Sequence, residues 1–300
     1  MTHTPRLFVP AITPFAADLS VDEGRLVAFG RQLIADGADG LAPFGTTSEA
    51  TSLSVDERIR GLEALVTGGI DPARLIPGTG CAALPDTIRL TAHAASLGVR
   101  GVLMLPPFYY KPVTTEGLFD AYARVIEAVG PGLAIYLYHI PQMTGVPITI
   151  DLIGRLDEAF PGVIRGLKDS SGNWDNTAAQ IAAFPHLEFY SASESLLPRN
   201  VAAGGAGCIS ASANVNAGGI AALIRALGTP QEAAALEKVS VIRSIFEKLP
   251  LSPAIQATVG LRMSDTAYAT VRPPLVSALP AHDTAIRAAA DLIEGMINVA

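Results

Sequence analysis

Between residues 7 and 210 the chain alternates, eight times, between a short apolar run and a stretch that reads as helix. The apolar runs are 7–13, 38–44, 75–80, 101–105, 133–138, 163–168, 187–192 and 207–210. Helical spacing marks 21–35, a stretch from about 54, then 84–97, 115–129, 150–159, 173–184 and 194–203. Ser54 with Glu57 three residues on is a capping box, and Gly98 is a helix stop. The runs are apolar throughout and do not alternate with polar residues, which is the pattern of strands buried on both faces. Regular βα alternation predicts a parallel sheet, and eight units of this length predict a (β/α)8 barrel of the TIM type. The rival is an open doubly wound sheet, but no Gly-x-Gly-x-x-Gly follows the first run. From 221 the strands cease, and 221–227, 230–249, 252–261 and 283–299 read as helices. The expected division is a barrel carrying the catalytic site over 1–225 and a C-terminal helical extension over 226–300.

Composition narrows the function classes. With 300 residues, 49% hydrophobic and 16% charged, the chain has ample core and is not disordered. A formal charge of −7 with no basic run argues against nucleic acid as a partner. Apolar runs fall short of the 18 residues a membrane span needs. The N-terminal residues lack a basic segment followed by an apolar one, so the cytoplasm is the expected location. Cys81 and Cys208 sit in apolar contexts, apart from any Cys/His cluster, and read as small buried hydrophobes with no metal or disulfide role. Low charge and abundant alanine point to surface covered in an oligomer.

The sixth run ends Gly166-Leu167-Lys168-Asp169-Ser170-Ser171-Gly172. In a barrel of this kind the active site lies at the C-terminal ends of the strands, so Lys168 falls on the active rim. A primary amine held among apolar walls gives up its proton more readily than one in water, and the neutral amine attacks carbonyl carbon. The other lysines are Lys111, Lys238 and Lys248, the last two on helical stretches where a solvated face accounts for them. The alternative for Lys168 is a strand-end lysine snorkelling to solvent. The other strand ends weigh against that. They carry Thr46 and Thr47, Tyr109, Tyr138, Ser191, and Ile209 with Ser210. Imine formation needs a hydroxyl that moves protons, a part Tyr138 could take. A 2-oxo acid needs its carboxylate held, and the Gly45-Thr46-Thr47 turn offers backbone N–H groups and two hydroxyls. Taken alone, that turn is equally a strand-to-helix connection with hydroxyl caps. His139 and Asp169 alternate to the other face and read as structural, while Glu49 reads as a support for the threonine turn. Without paired carboxylates or a His cluster, glycosidase and metal-dependent aldolase mechanisms lack their residues.

With these segments assembled, the chain resembles the dihydrodipicolinate synthase and N-acetylneuraminate lyase superfamily of class I, pyruvate-type aldolases. The matching segments are Gly45-Thr46-Thr47-Ser48-Glu49, Pro107-Phe108-Tyr109, Tyr138-His139-Ile140-Pro141, residues 166–172, residues 204–210 and Arg272-Pro273-Pro274-Leu275. The resemblance implies that Lys168 is the Schiff-base lysine and Tyr138 the proton carrier. It implies that Thr46 and Thr47 bind the pyruvoyl carboxylate, and that Thr47 links Tyr138 to a second tyrosine, Tyr109, which reaches a neighbouring subunit's site. Ile209 would supply a backbone contact. No cofactor is implied beyond the covalent lysine imine, and the implied assembly is a homotetramer, a dimer of tight dimers.

Three positions depart from the synthase pattern. Met143 stands where the synthases carry an arginine for the second substrate's carboxylate, and a thioether makes no bidentate contact. Ser48 replaces a glycine, and Ser193 lies where the synthases have a Gly-Asp type sequence. The pyruvate half of the site is present and the second half is remodelled. The expected function is a Schiff-base lyase acting on pyruvate or a 2-keto-3-deoxy acid, by retro-aldol cleavage or dehydration. Met143, Ser48 and Ser193 would line the second-substrate side. The alternatives are 4-hydroxy-tetrahydrodipicolinate synthase, condensing pyruvate with aspartate semialdehyde, and a non-catalytic barrel that binds 2-oxo acids.

Overall fold

A computed structural model describes residues 3–279 and 281–297. Strand and helix alternate along it as β1 (Arg6–Val9), α1 (Glu23–Ala35), β2 (Gly40–Leu41), α2 (Val55–Thr67), α3 (Leu84–Ser96), β3 (Val102–Met104), α4 (Thr115–Val129) and β4 (Ile135–His139). There follow α5 (Pro141–Thr144), α6 (Ile150–Ala159), β5 (Ile164–Asp169), α7 (Trp174–Ala183), β6 (Glu188–Ser191), α8 (Leu197–Ala202) and β7 (Gly207–Ile209). Helices α9 (Ala213–Ala226), α10 (Glu232–Phe246), α11 (Leu251–Arg262) and α12 (Asp283–Ile297) complete it. The end of the expected last helix, 298–299, lies outside the described residues.

The strands form one parallel sheet in the order β2-β1-β7-β6-β5-β4-β3. All five residues of β4 are buried, as a strand covered on both faces requires. The inner face carries Phe8, Leu103, Tyr136, Tyr138, Tyr190 and Ile209, and a larger apolar cluster fills the layer between sheet and helices. Helix starts follow the local signals. The Ser54–Glu57 box forms in full at α2, and Thr114, Thr149 and Asn173 cap α4, α6 and α7.

The expected third strand is the main difference. Residues 75–80 form no regular strand, because Pro77 has no N–H for a ladder. Single parallel bridges join Leu41 to Leu75 and Gly78 to Leu103. Ile76 N–H donates to Leu41 O at 2.9 Å and Leu103 N–H to Pro77 O at 2.9 Å. The segment therefore touches both edge strands of the sheet, β2 and β3. Two helices also differ. The helix expected to begin at 221 starts at Ala213, ahead of a break at Asn216 where φ is −142° and ψ 37°. The one expected over 194–203 is a 3-10 turn at Glu194–Leu196 followed by α8, which has Pro198 in its first turn.

Candidate active site

Register builds the site. Parallel pairing sets Tyr138 of β4 opposite Lys168 of β5, and Lys168 opposite Tyr190 of β6. Side chains at paired positions share a face, so the amine and the phenol meet inside the curled sheet. Gly166 makes the close strand approach possible: a Cβ there would collide with the Glu188 carbonyl on β6.

Lys168 is 4% exposed. Its Nζ donates to the Tyr138 hydroxyl at 3.3 Å and stands 4.3 Å from the centre of that ring. The Tyr138 hydroxyl also shares a hydrogen bond with Thr46 Oγ1 at 3.3 Å. Burial works to raise the Tyr138 phenol. The Lys168 ammonium, with hydrogen bonds from Thr46, Lys168 and Ser170, outweighs it and holds the phenol below its ordinary value. A buried tyrosine that parts with its proton more easily than usual suits proton transfer.

Thr46 and Thr47 lie in the turn after β2. This turn is strained at both ends, with Phe44 at φ 60° and Glu49 at φ 56°, left-handed values for bulky or long side chains. Such conformations cost roughly 1–3 kcal/mol each and concentrate at functional sites. The carbonyls of Gly45 and Thr46 accept from Ser48, Glu49 and Ala50 N–H groups. The Thr46 and Thr47 N–H groups donate to no other group among the described residues. Two adjacent N–H groups without an acceptor are the kind of group that can serve an anion.

Above Tyr138 opens a cavity of about 120 Å³, walled by Phe44, Thr46, Leu105, Phe108, Tyr138 and Met143 among others. Its lining residues carry no charge. Lys168 is not among its lining residues and reaches it only through Tyr138. Met143, 66% exposed, is at its edge.

The other expected site residues are spread over the turn after β2, the loop after β3 and the ends of β6 and β7. Thr46 Oγ1, not Thr47, reaches the Tyr138 hydroxyl; Thr47 is buried and its hydroxyl makes no hydrogen bond among the described residues. Tyr109 is 75% exposed, rests edge-on against Tyr110 and does not line the cavity. Ser48 does not face the cavity either. It is fully buried, its hydroxyl donates to Ala11 O at 2.6 Å, and its carbonyl accepts from Thr13. Ser193 caps the turn after β6, where its carbonyl accepts from the Ser191 hydroxyl at 2.8 Å. Ile209 is buried in the inner cluster at the end of β7.

His139 and Asp169 face outward, as their alternation requires. Ile148 N–H donates to His139 Nδ1 at 3.0 Å, and burial lowers the imidazole against the pull of Asp169. Asp169 accepts from Ser171 N–H and the Thr177 hydroxyl, tying the loop after β5 to α7.

Two acid clusters, one half-buried and one fully buried, escaped sequence reasoning. Glu188, in the layer below Lys168, accepts from Arg100 at 2.9 and 3.0 Å, Tyr136 at 2.9 Å and Tyr190 at 2.8 Å. Glu194, fully buried, accepts from the Ser210 and Ser212 hydroxyls, with Arg243 of α10 at 3.4 Å. A Ser-x-Ser pair after β7 was the available signal for the second. Among the described residues no group of three or more His, Cys, Asp and Glu side chains is arranged to hold a metal ion. No helix among them is long and apolar enough to cross a membrane.

A buried lysine, a tyrosine and a threonine stand in series at the carboxyl ends of parallel strands, and a family model matches the chain that carries them. That model, the dihydrodipicolinate synthetase family, covers residues 3–292. The chain belongs to that family. A DapA-like lyase of Chloroflexus aurantiacus is 36% identical over 292 residues, 96% of this chain and 97% of the relative. A 4-hydroxy-tetrahydrodipicolinate synthase of Rhizobium meliloti is 34% identical over 285 residues, 94% of this chain and 96% of its own. The crystal structure of dihydrodipicolinate synthase from Agrobacterium tumefaciens superposes with a TM-score of 0.86 at 31% identity, covering 97% of this chain and 98% of that one. The family's parallel sheet with surrounding helices and a C-terminal helical part is the architecture found here, and the protein is an enzyme of the lyase class.

Proposed function

We propose that this family member is a Schiff-base lyase acting on pyruvate or a 2-keto-3-deoxy acid. The observation that carries the reading is the Lys168–Tyr138–Thr46 series, with successive contacts of 3.3 Å. Lys168 Nζ attacks the C2 ketone. Tyr138 passes a proton to the carbinolamine oxygen, water leaves, and a ketimine forms. The Thr46 and Thr47 N–H groups hold the substrate carboxylate. The ketimine accepts the electron pair released when the C3–C4 bond breaks, giving an enamine and an aldehyde. Loss of a C3 proton instead gives the enamine from which a C4 hydroxyl departs as water. In this reading residues 75–80 act as the eighth stave, so that the sheet closes as a (β/α)8 barrel. Tyr109, exposed on one chain, packs into a neighbouring copy in a homotetramer.

Borohydride reduction with pyruvate tests the reading. Wild type should gain the mass of one reduced pyruvyl adduct, located on Lys168 by peptide mapping, and Lys168→Ala should gain none. Absence of an adduct on wild type sinks it and favours a binding barrel without catalysis.

A second reading is supported by the Rhizobium relative: the protein condenses pyruvate with aspartate semialdehyde. The uncharged cavity lining speaks against it, since a second carboxylate finds no cation there.

A further inference from the structure

The carboxylate of Glu49 leaves the site's own turn and meets the C-terminal helical part of the chain. Glu49 is 3% exposed and left-handed at φ 56°. One of its oxygens accepts from Gln256 Nε2 of α11 at 2.7 Å, and the other from the Arg272 N–H at 3.1 Å. Both partners lie more than 200 residues on: the separations are 207 and 223. Arg272 then grips the far side of the same segment. Its guanidinium donates to Ser52 O at 2.7 Å, pairs with Glu57 and lies 4.6 Å over the Phe15 ring. Residues 49–57 are therefore held at both ends by one residue of the C-terminal part.

The same carboxylate is one turn from the chemistry. Glu49 N–H donates to Thr46 O at 3.2 Å, and Thr46 Oγ1 meets the Tyr138 hydroxyl at 3.3 Å. A left-handed glutamate does not hold such a backbone unaided; strained conformations persist only where their surroundings over-determine them. Here the surroundings are Gln256 and Arg272.

We propose that Glu49 is a positioning residue. By binding Gln256 and the Arg272 N–H, it fixes the strained 44–49 turn, and so sets Thr46 against Tyr138 and the free N–H groups against the substrate carboxylate. The C-terminal helices thereby complete the active site without touching substrate. The proposal rests on the Schiff-base reading above. Gln256 Oε1 is buried with no partner among the described residues, so Gln256 works here as a donor to Glu49.

The test separates positioning from mere folding by using a half-reaction. Imine formation with pyruvate makes its C3 protons exchangeable through the enamine, and proton NMR in D2O follows their loss. Glu49→Gln, Gln256→Leu and Thr46→Val are compared with wild type. In Glu49→Gln and Gln256→Leu we expect exchange to slow about tenfold and the half-saturating pyruvate concentration to rise, with thermal midpoints near wild type. Borohydride should still trap the full adduct at saturating pyruvate, because Lys168 stands on β5, outside the turn. Thr46→Val should show the same slowing, and the double variant Glu49→Gln/Thr46→Val should lose no more than the worse single one. The proposal is overturned by unchanged exchange in both Glu49→Gln and Gln256→Leu, by additive losses in the double variant, or by exchange that falls only in step with thermal stability. Should Glu49→Gln not fold, Gln256→Leu carries the test alone. No adduct on wild type would instead remove the Schiff-base reading itself, a result distinct from any of these.

Discussion

Lys168 and Tyr138 are paired positions on neighbouring parallel strands, with Nζ 3.3 Å from the phenol oxygen and 4.3 Å from the ring centre. The ammonium thus serves twice, as future nucleophile and as the charge that keeps the phenol acidic. Removing it in Lys168→Met leaves burial to act against fewer opposing contacts, so the Tyr138 phenol should rise. Ultraviolet difference titration, with Tyr138→Phe subtracted, should find phenolate forming at lower pH in wild type than in Lys168→Met. Titration at the same pH in both would contradict this account. Tyr138→Phe should slow pyruvate C3 exchange by about a hundredfold or more, the worth of a positioned proton carrier.

Met143 marks the cavity edge with a thioether where a second carboxylate would want a cation. Met143→Arg should therefore favour dicarboxylate chemistry. Condensation of pyruvate with aspartate semialdehyde, followed by loss of pyruvate, should be slow in wild type and faster in the variant, while binding of pyruvate alone stays the same. Rapid condensation by wild type would favour the synthase reading.

Much of this site was legible because periodicity and side-chain type sufficed. Eight apolar runs put Lys168, Tyr138 and the Thr46 turn at one end of a parallel sheet, and alternation turned His139 and Asp169 away from it. What escaped depended on three-dimensional partners. Pro77 leaves 75–80 bridged to its neighbours but not laddered. Whether Thr46 or Thr47 meets Tyr138 is set by left-handed values at Phe44 and Glu49, which no propensity predicts. Ser48 looked like a lining residue, yet its hydroxyl is taken by Ala11 O, an atom on the preceding connection. Glu49 found its partners more than 200 residues away, a contact that no local pattern encodes.

Gly166 is the place where strand spacing itself can be tested. A methyl there meets the Glu188 carbonyl, a backbone atom that cannot swing aside. Gly166→Ala should destabilise the fold by about 2–3 kcal/mol through overpacking. The shift should appear in the midpoint of urea unfolding with an unchanged slope. A loss under about 0.5 kcal/mol would mean that β5 and β6 move apart at little cost.

Acid should unfasten the clamp between Arg272 and Glu57. The Arg272 guanidinium holds the Glu57 carboxyl down to about 2, against an ordinary 4.5. The unfolded chain then binds more protons than the folded one between these values, so stability rises with pH across that window. The contribution is complete above 4.5 and is lost as pH falls through about 2. The two side chains are 16% and 17% exposed, and after allowance for solvent screening the pair contributes roughly 1–2 kcal/mol. Urea unfolding at neutral pH should find Arg272→Met less stable than wild type by at least that amount, since the guanidinium also leaves Ser52 O and the Phe15 ring. The difference should shrink as the acid limit is approached, because wild type loses what the variant never had. Stability curves that stay parallel down to about pH 2 would mean that the pair is a bystander.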